Sequence, residues 1–216
     1  MTTPQGQGRY PDWDVLEQQR HWDEVTRKVV LDRIDNVPAY AFFSEEEVAT
    51  LTALLDVLLA QDREPRIPVL AYVDHRLAQG KLDGFRYYDM PDDGDAWRIV
   101  ARAFDEEARK RGADRFSLLS EHQQTELCHL FSKGCLGGGS WSELNVKHAF
   151  QLVMRQACSA FYAHPWAWNE IGFGGPAYPR GYAVFASAHL DDTEPWEGKE
   201  AVDIDPVKAT RERGLD

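Results

Sequence analysis

Apolar positions recur at helical spacing along most of the chain, with charge between them. From Trp13 to Ile34 the residues Leu16, Trp22, Val25, Val29, Val30 and Ile34 come round at the interval of an amphipathic helix. Ser44-Glu45-Glu46-Glu47 reads as a capping box: the serine side chain accepts an orphan amide while Glu47 reaches back, and the acidic first turn suits the helix dipole. Val48, Leu51, Leu54, Leu55 and Leu58 then form one apolar stripe. Pro68 suits the first turn of a third helix carrying Val69, Leu70, Val73 and Leu77, which should stop near Gly80. The stretch MPDDGD breaks the chain before a fourth, built on Trp97, Val100, Ala103 and Phe104 and ended by Gly112. Ser120 with Gln123 caps a fifth, through Leu127 and Leu130. Ser140 with Glu143 caps a sixth, from about Trp141 to Ala163, with Val146, Phe150, Val153, Met154 and Phe161 inward. Only YAVFASAH, residues 182–189, has the look of a strand.

This pattern predicts an all-α fold, a compact bundle of about six helices over residues 1–189, with a long aromatic loop at 161–182 inside that domain. From Leu190 the composition shifts. DDTEPWEGKEAVDIDPVKATRERGLD is acidic, holds two prolines and has no apolar stripe beyond Trp196, Val202, Ile204 and Val207. Residues 190–216 are therefore expected as an extended tail, flexible or draped over a partner.

Composition supports a folded chain and narrows its partners. An apolar fraction of 43% with 12% aromatics suffices for a core. A net charge of −12 counts against nucleic-acid binding, which needs clustered lysine and arginine. The three cysteines, Cys128, Cys135 and Cys158, are an odd number and make no disulfide framework. The opening MTTPQGQGRYPDWD has no basic n-region, apolar h-region or twin arginine, and no window reaches the length of a membrane span. Cytoplasmic synthesis with reduced thiols is the expectation.

Candidate chemistry is sparse. Glu126 and His129 form one E-x-x-H pair on a predicted helix, whereas carboxylate-bridged metal bundles use such a pair on each of two helices. Cys128, His129 and Cys135 lack finger-like spacing. The loop Gly134-Cys135-Leu136-Gly137-Gly138-Gly139-Ser140 precedes a helix but lacks the lysine and the preceding strand of a phosphate loop. His164, Glu170 and Tyr162 have acid–base character, yet the sequence does not bring them together. No catalytic, cofactor-binding or metal-binding set is expected.

The segment FYAHPWAWNEIGFGGPAYPRGY, residues 161–182, stands apart. Three prolines and four glycines mark it as neither helix nor strand, while two tryptophans and three tyrosines demand burial somewhere. The rings fill gaps beneath a loop folded on its own bundle, or they dock on another chain; both use apolar area alike.

This segment resembles the signature region of the gluconate 2-dehydrogenase subunit 3 family. The matching residues are Tyr162, His164, Pro165, Trp168, Ile171, Gly172, Phe173, Gly175, Pro176, Tyr178, Arg180 and Gly181, and the resemblance extends back to about Phe43 at the level of pattern. It implies a small, mainly helical accessory subunit that is not itself an enzyme and holds no cofactor. Its partner would be a large subunit of the glucose–methanol–choline oxidoreductase type, which carries FAD and acts on a sugar or polyol; a further electron-transfer subunit is compatible with this. The accessory subunit would assist the partner's folding or assembly. Many members carry a twin-arginine signal and export the complex; this sequence shows none, so export would require a signal on the partner. The expected partner interface is Tyr162, His164, Pro165, Trp166, Trp168, Ile171, Phe173, Pro176, Tyr178, Arg180, Tyr182 and Trp196. The alternative is a stand-alone helical metal protein or enzyme using Glu126 and His129.

Overall fold

The structure, a computed structural model, describes residues 10, 13–62, 64–82 and 84–176. Seven α-helices lie among them: α1 (Glu24–Asp35), α2 (Glu45–Leu58), α3 (Val69–Ala78), α4 (Asp93–Lys110), α5 (Glu121–Lys133), α6 (Val146–Phe161) and α7 (Pro165–Ile171). Three 3-10 turns, Val15–His21, Phe116–Leu118 and Gly139–Glu143, complete the order, with no strand among the described residues. The fold is all-α, as the periodicity predicts. The strand-like stretch 182–189 and the tail 190–216 lie outside the described residues.

Two compact units can be distinguished. The larger takes residues 38–62 and 68–160, the smaller the described parts of 1–37, 63–67 and 161–216.

In the larger unit the predicted caps do their work. The Ser44 amide donates to Glu47 Oε2 at 2.9 Å and the Glu47 amide to Ser44 Oγ at 3.3 Å. Ser120 and Gln123 make the same reciprocal pair at the start of α5, and left-handed Gly134 ends that helix. Upstream of α2 the chain is held by Asp74 of α3, which has no exposed surface. Its carboxylate accepts the amides of Ala41, Phe42 and Phe43 at 2.7, 3.0 and 2.8 Å. Three successive donors aimed at one carboxylate satisfy a charge that would otherwise be costly to bury.

Phe104 of α4 is the hub of the core. The rings of Phe116, Phe131 and Trp141 surround it edge-on, with centroids 4.9, 5.3 and 5.4 Å away. Such geometry puts ring edges against ring faces and adds to the area each ring buries. A buried polar relay crosses from α4 to α6: Trp97 Nε1 donates to Gln156 Oε1 at 2.8 Å, and Gln156 Nε2 to Asp93 Oδ2 at 2.7 Å.

Two helix boundaries differ from expectation. Gly139–Glu143 is a 3-10 turn, and the following helix starts at Val146, so Ser140 and Glu143 are not its capping box. A long-range partner takes Ser140 instead: its amide and hydroxyl donate to the Glu106 carboxylate at 2.9 and 2.5 Å. Those hydrogen bonds from the Ser140 side chain and backbone hold the Glu106 carboxyl below its usual range. Arg102 meanwhile engages both Ser140 Oγ and Glu143 at 2.7 Å. Gly139 adopts φ +53°, and a side chain there would collide with Glu106 Oε2. Asn145 takes over the cap, its Oδ1 accepting the amides of Lys147 and His148. The second difference lies in the smaller unit, where the single helix expected over Trp13–Ile34 breaks at Trp22-Asp23. Asp23 caps α1 through the Thr26 amide at 2.8 Å, and Val25 and Val29 are exposed rather than inward.

Asp74→Ala strands three amides that now share one acceptor, a loss of about 3 kcal/mol if each costs about 1. Chemical unfolding of the full chain measures it. A change below about 1 kcal/mol would mean that water replaces the carboxylate.

Candidate partner-binding surface

The segment after α6 is not irregular throughout. Tyr162 and Ala163 make a turn, and α7 runs from Pro165 to Ile171. Its start follows from two adjacent residues. His164 is extended and its Nδ1 accepts the Trp166 amide at 3.2 Å. Pro165 occupies the first helical position, where a missing N–H costs nothing and a fixed φ fits the helix. Gly172, left-handed at φ +67°, ends it, and the Phe173 amide closes back on the Trp168 carbonyl at 2.9 Å. The expectation of a purely irregular segment is corrected here: proline at the start and glycine at the end delimit a helix between them.

This short helix packs on the N-terminal part of its own unit. Val15, Trp22, Val30 and Trp168 form a buried cluster, with Leu16 and Phe173 packed against it. The Phe173 ring meets Trp168 edge-on at 5.7 Å. Trp168 Nε1 donates to the Tyr162 carbonyl at 2.7 Å, so the indole buries its area without losing its hydrogen bond. Asn169 joins the two ends. Its Oδ1 accepts the Val15 amide at 2.7 Å and its Nδ2 donates to Asp14 Oδ1 at 3.2 Å. Arg33 of α1 donates to the Ala163 carbonyl, and its guanidinium stands 6.0 Å from the Trp168 ring centroid. Gly175 is confined by the same cluster: a Cβ there would lie 3.0 Å from Val15 and 3.1 Å from Trp22.

The expected interface residues divide by burial. His164, Pro165 and Trp168 are interior to the unit and belong to its packing. Trp166, Phe173 and Pro176 are half-buried. Tyr162 and Ile171, each 51% exposed, present apolar surface to solvent. Tyr178, Arg180, Tyr182 and Trp196 lie outside the described residues. The same unit exposes Val25 and Val29 on α1, at 71% and 50%. The helical periodicity reads these valines as core, and only the break at Trp22-Asp23 turns them outward.

The other candidate residues do not converge. Glu126 and His129 sit on α5 and are both exposed. No group of three histidine, cysteine, aspartate or glutamate side chains among the described residues is placed to hold a metal ion. Cys128 is buried, and burial pushes its thiol up to about 12; Cys158 is shifted in the same direction by burial. Burial pushes the His164 imidazole down to about 4, and the charge of Arg33 acts in the same sense against a hydrogen bond to the Arg33 backbone. His164 is therefore a neutral cap at pH 7 and an unsuited proton carrier there. No helix among the described residues is long and apolar enough to cross a membrane.

A family model described as gluconate 2-dehydrogenase subunit 3 matches residues 45–175, more than half of the chain. The match begins at the first residue of α2 and ends at Gly175, so it contains α7 and its glycine stop. Comparison with curated proteins gives no match, and comparison with solved structures gives none.

The buried imidazole makes stability fall with acid. Unfolded, histidine binds a proton near pH ~6.5; folded, His164 does so only near about 4, so the unfolded state gains protons across that window as pH falls. His164→Asn keeps a capping oxygen without the titration. Its melting temperature should therefore decline less than that of the natural chain between about pH 6.5 and 4.5. Equal slopes would show that the imidazole charges without penalty.

Proposed function

The chain belongs to the gluconate 2-dehydrogenase subunit 3 family, and on that premise we propose that it is a non-catalytic accessory subunit. It binds and stabilises a large, FAD-dependent dehydrogenase subunit of the glucose–methanol–choline type, acting on a sugar or polyol, and assists its folding or assembly in the cytoplasm. FAD and the chemistry reside in the partner. The observation that carries this reading is the family match through α7. Burial sharpens it. The inner residues of the aromatic segment hold their own unit together, while Tyr162 and Ile171, with Val25 and Val29 of the same unit, remain as apolar surface for another chain. In this reading the contact with the flavoprotein is made by the exposed positions, and Trp168 acts by keeping them in place.

Co-expression tests the proposal. The large subunit made together with this chain should copurify with it and hold its flavin; made alone, it should be poorly soluble or flavin-poor. A large subunit that is equally soluble, flavin-loaded and active without the chain would overturn the reading.

Substitutions separate docking from packing. Tyr162→Ala combined with Ile171→Ala should weaken association by about 2 kcal/mol while leaving the melting temperature nearly unchanged. Trp168→Ala should instead cost about 3–5 kcal/mol of stability, as expected for a buried tryptophan. Binding that survives the double substitution would move the interface elsewhere.

A further inference from the structure

In the larger unit, the stretch 84–92 between α3 and α4 is tied down on one side and bare on the other. Tyr88 is 99% exposed and Phe85 55%. Their neighbours are fixed. Tyr87 lies flat on the His148 ring, with centroids 3.8 Å apart and planes within 6°. Asp89 reaches the start of α6 with both carboxylate oxygens: Oδ1 lies 2.8 Å from His148 Nδ1, and Oδ2 accepts from Asn145 Nδ2 at 2.8 Å. Met90 is buried, and its amide closes a turn on the Tyr87 carbonyl at 3.1 Å. Tyr88 stands at the corner of that turn. Phe85 meets Tyr87 edge-on, with centroids 5.1 Å apart. Beside these rings lies a shallow depression of about 270 Å³, open to solvent, walled by Phe85, Tyr87, Met90, Pro91 and Leu152 with Arg155 as a charged edge.

We propose that Phe85, Tyr88 and this depression are the larger unit's own contact with the flavin-dependent subunit: Tyr88 inserts into that partner, and an apolar side chain of the partner fills the depression. The inference rests on the accessory-subunit reading and adds a second surface to it. Area is the first argument. Permanent hetero-complexes bury roughly 2,000 Å² or more, about 1,000 Å² from each chain. A wholly covered aromatic ring supplies about 200 Å². Even if Tyr162, Ile171, Val25 and Val29 all counted as rings, their exposed fractions would give only roughly 450 Å². A stable complex therefore needs apolar surface beyond the smaller unit, and Tyr88 is the most exposed large hydrophobic residue among those described. The second argument is that its exposure is built in. A ring left almost wholly in water adds nothing to its own core, yet the residues on either side of it are held by stacking, hydrogen bonds and burial. Such a ring is already placed before association, so little ordering entropy opposes its insertion. Tyrosine is among the residues that most often carry the binding energy of an interface, inside a polar rim that excludes water. Arg86 and Asp92 flank the patch and pair with each other. That pair gives the rim polarity without a net charge, which suits an apolar contact better than an ionic one.

Dilution of the complex between the full chain and the large subunit, purified from cells making both, tests the contact. Tyr88→Ser should raise the concentration of half-dissociation roughly thirtyfold, the loss expected of a hot-spot ring. Tyr88→Phe keeps the ring and should stay within about fivefold, the scale of one hydrogen bond. The melting temperature of the chain should be the same in both variants as in the natural protein. A Tyr88→Ser complex as tight as the natural one would overturn this contact and leave the accessory-subunit reading standing. A natural chain that forms no complex with the large subunit would overturn both. A lowered melting temperature in Tyr88→Ser would make the ring structural, and self-association of the free chain that Tyr88→Ser abolishes, with the large subunit bound as before, would assign the surface to a second copy; either result overturns the proposal.

Discussion

The Asn169 side chain holds the candidate surface together. It accepts the Val15 amide and donates to Asp14, tying α7 to a stretch 154 residues earlier in the chain. Asn169 is almost wholly buried and its bond to the Val15 amide is out of water, whereas the one to Asp14 is part-buried. With α7 tied to that stretch, Trp168 packs among Val15, Trp22 and Val30, and its N–H finds the Tyr162 carbonyl. Gly172 and Gly175 then allow the chain to leave α7 at positions where a side chain would meet Tyr10, Val15 or Trp22. Without the asparagine the buried Val15 amide would lose its acceptor.

This arrangement changes the meaning of so many rings in one segment. Composition alone leaves open whether they pack inward or face outward, and the structure divides the segment residue by residue between buried and exposed positions. Trp168 and His164 face the interior, whereas Tyr162 and Ile171 do not. An accessory subunit needs both kinds. In the proposed role, buried aromatics would hold the short helix in place before association, lowering the entropy that binding must overcome, and the exposed apolar residues would supply the area.

Local signals were legible where local chemistry decides the outcome. Ser44 with Glu47, Ser120 with Gln123, and Gly134 bound their helices as written, because the capping partner lies three residues away or the backbone itself needs φ > 0. Ser140 and Glu143 carry the same signature and fail, because Glu106 and Arg102, distant in sequence, take their hydrogen bonds first. Val25 and Val29 mislead for a related reason: their period is helical, but the break at Trp22-Asp23 resets the face. The boundaries of α7 were written in His164-Pro165 and Gly172, and the density of proline, glycine and aromatic residues around them masked the cue. The Tyr87–Asp89–His148 contact had no sequence signal at all, since it joins a loop to a helix 59 residues on.

In the proposed role, this chain meets a flavoprotein through the exposed residues of its smaller unit. A photo-crosslinking amino acid placed at Ile171, in cells making both chains, tests it without requiring the free subunit to be stable. The account predicts a covalent adduct with the large dehydrogenase subunit from position 171 and none from the exposed control position Glu126. Adducts of the large subunit at Glu126 but not at Ile171, or at neither position while the two proteins are both abundant, would contradict it.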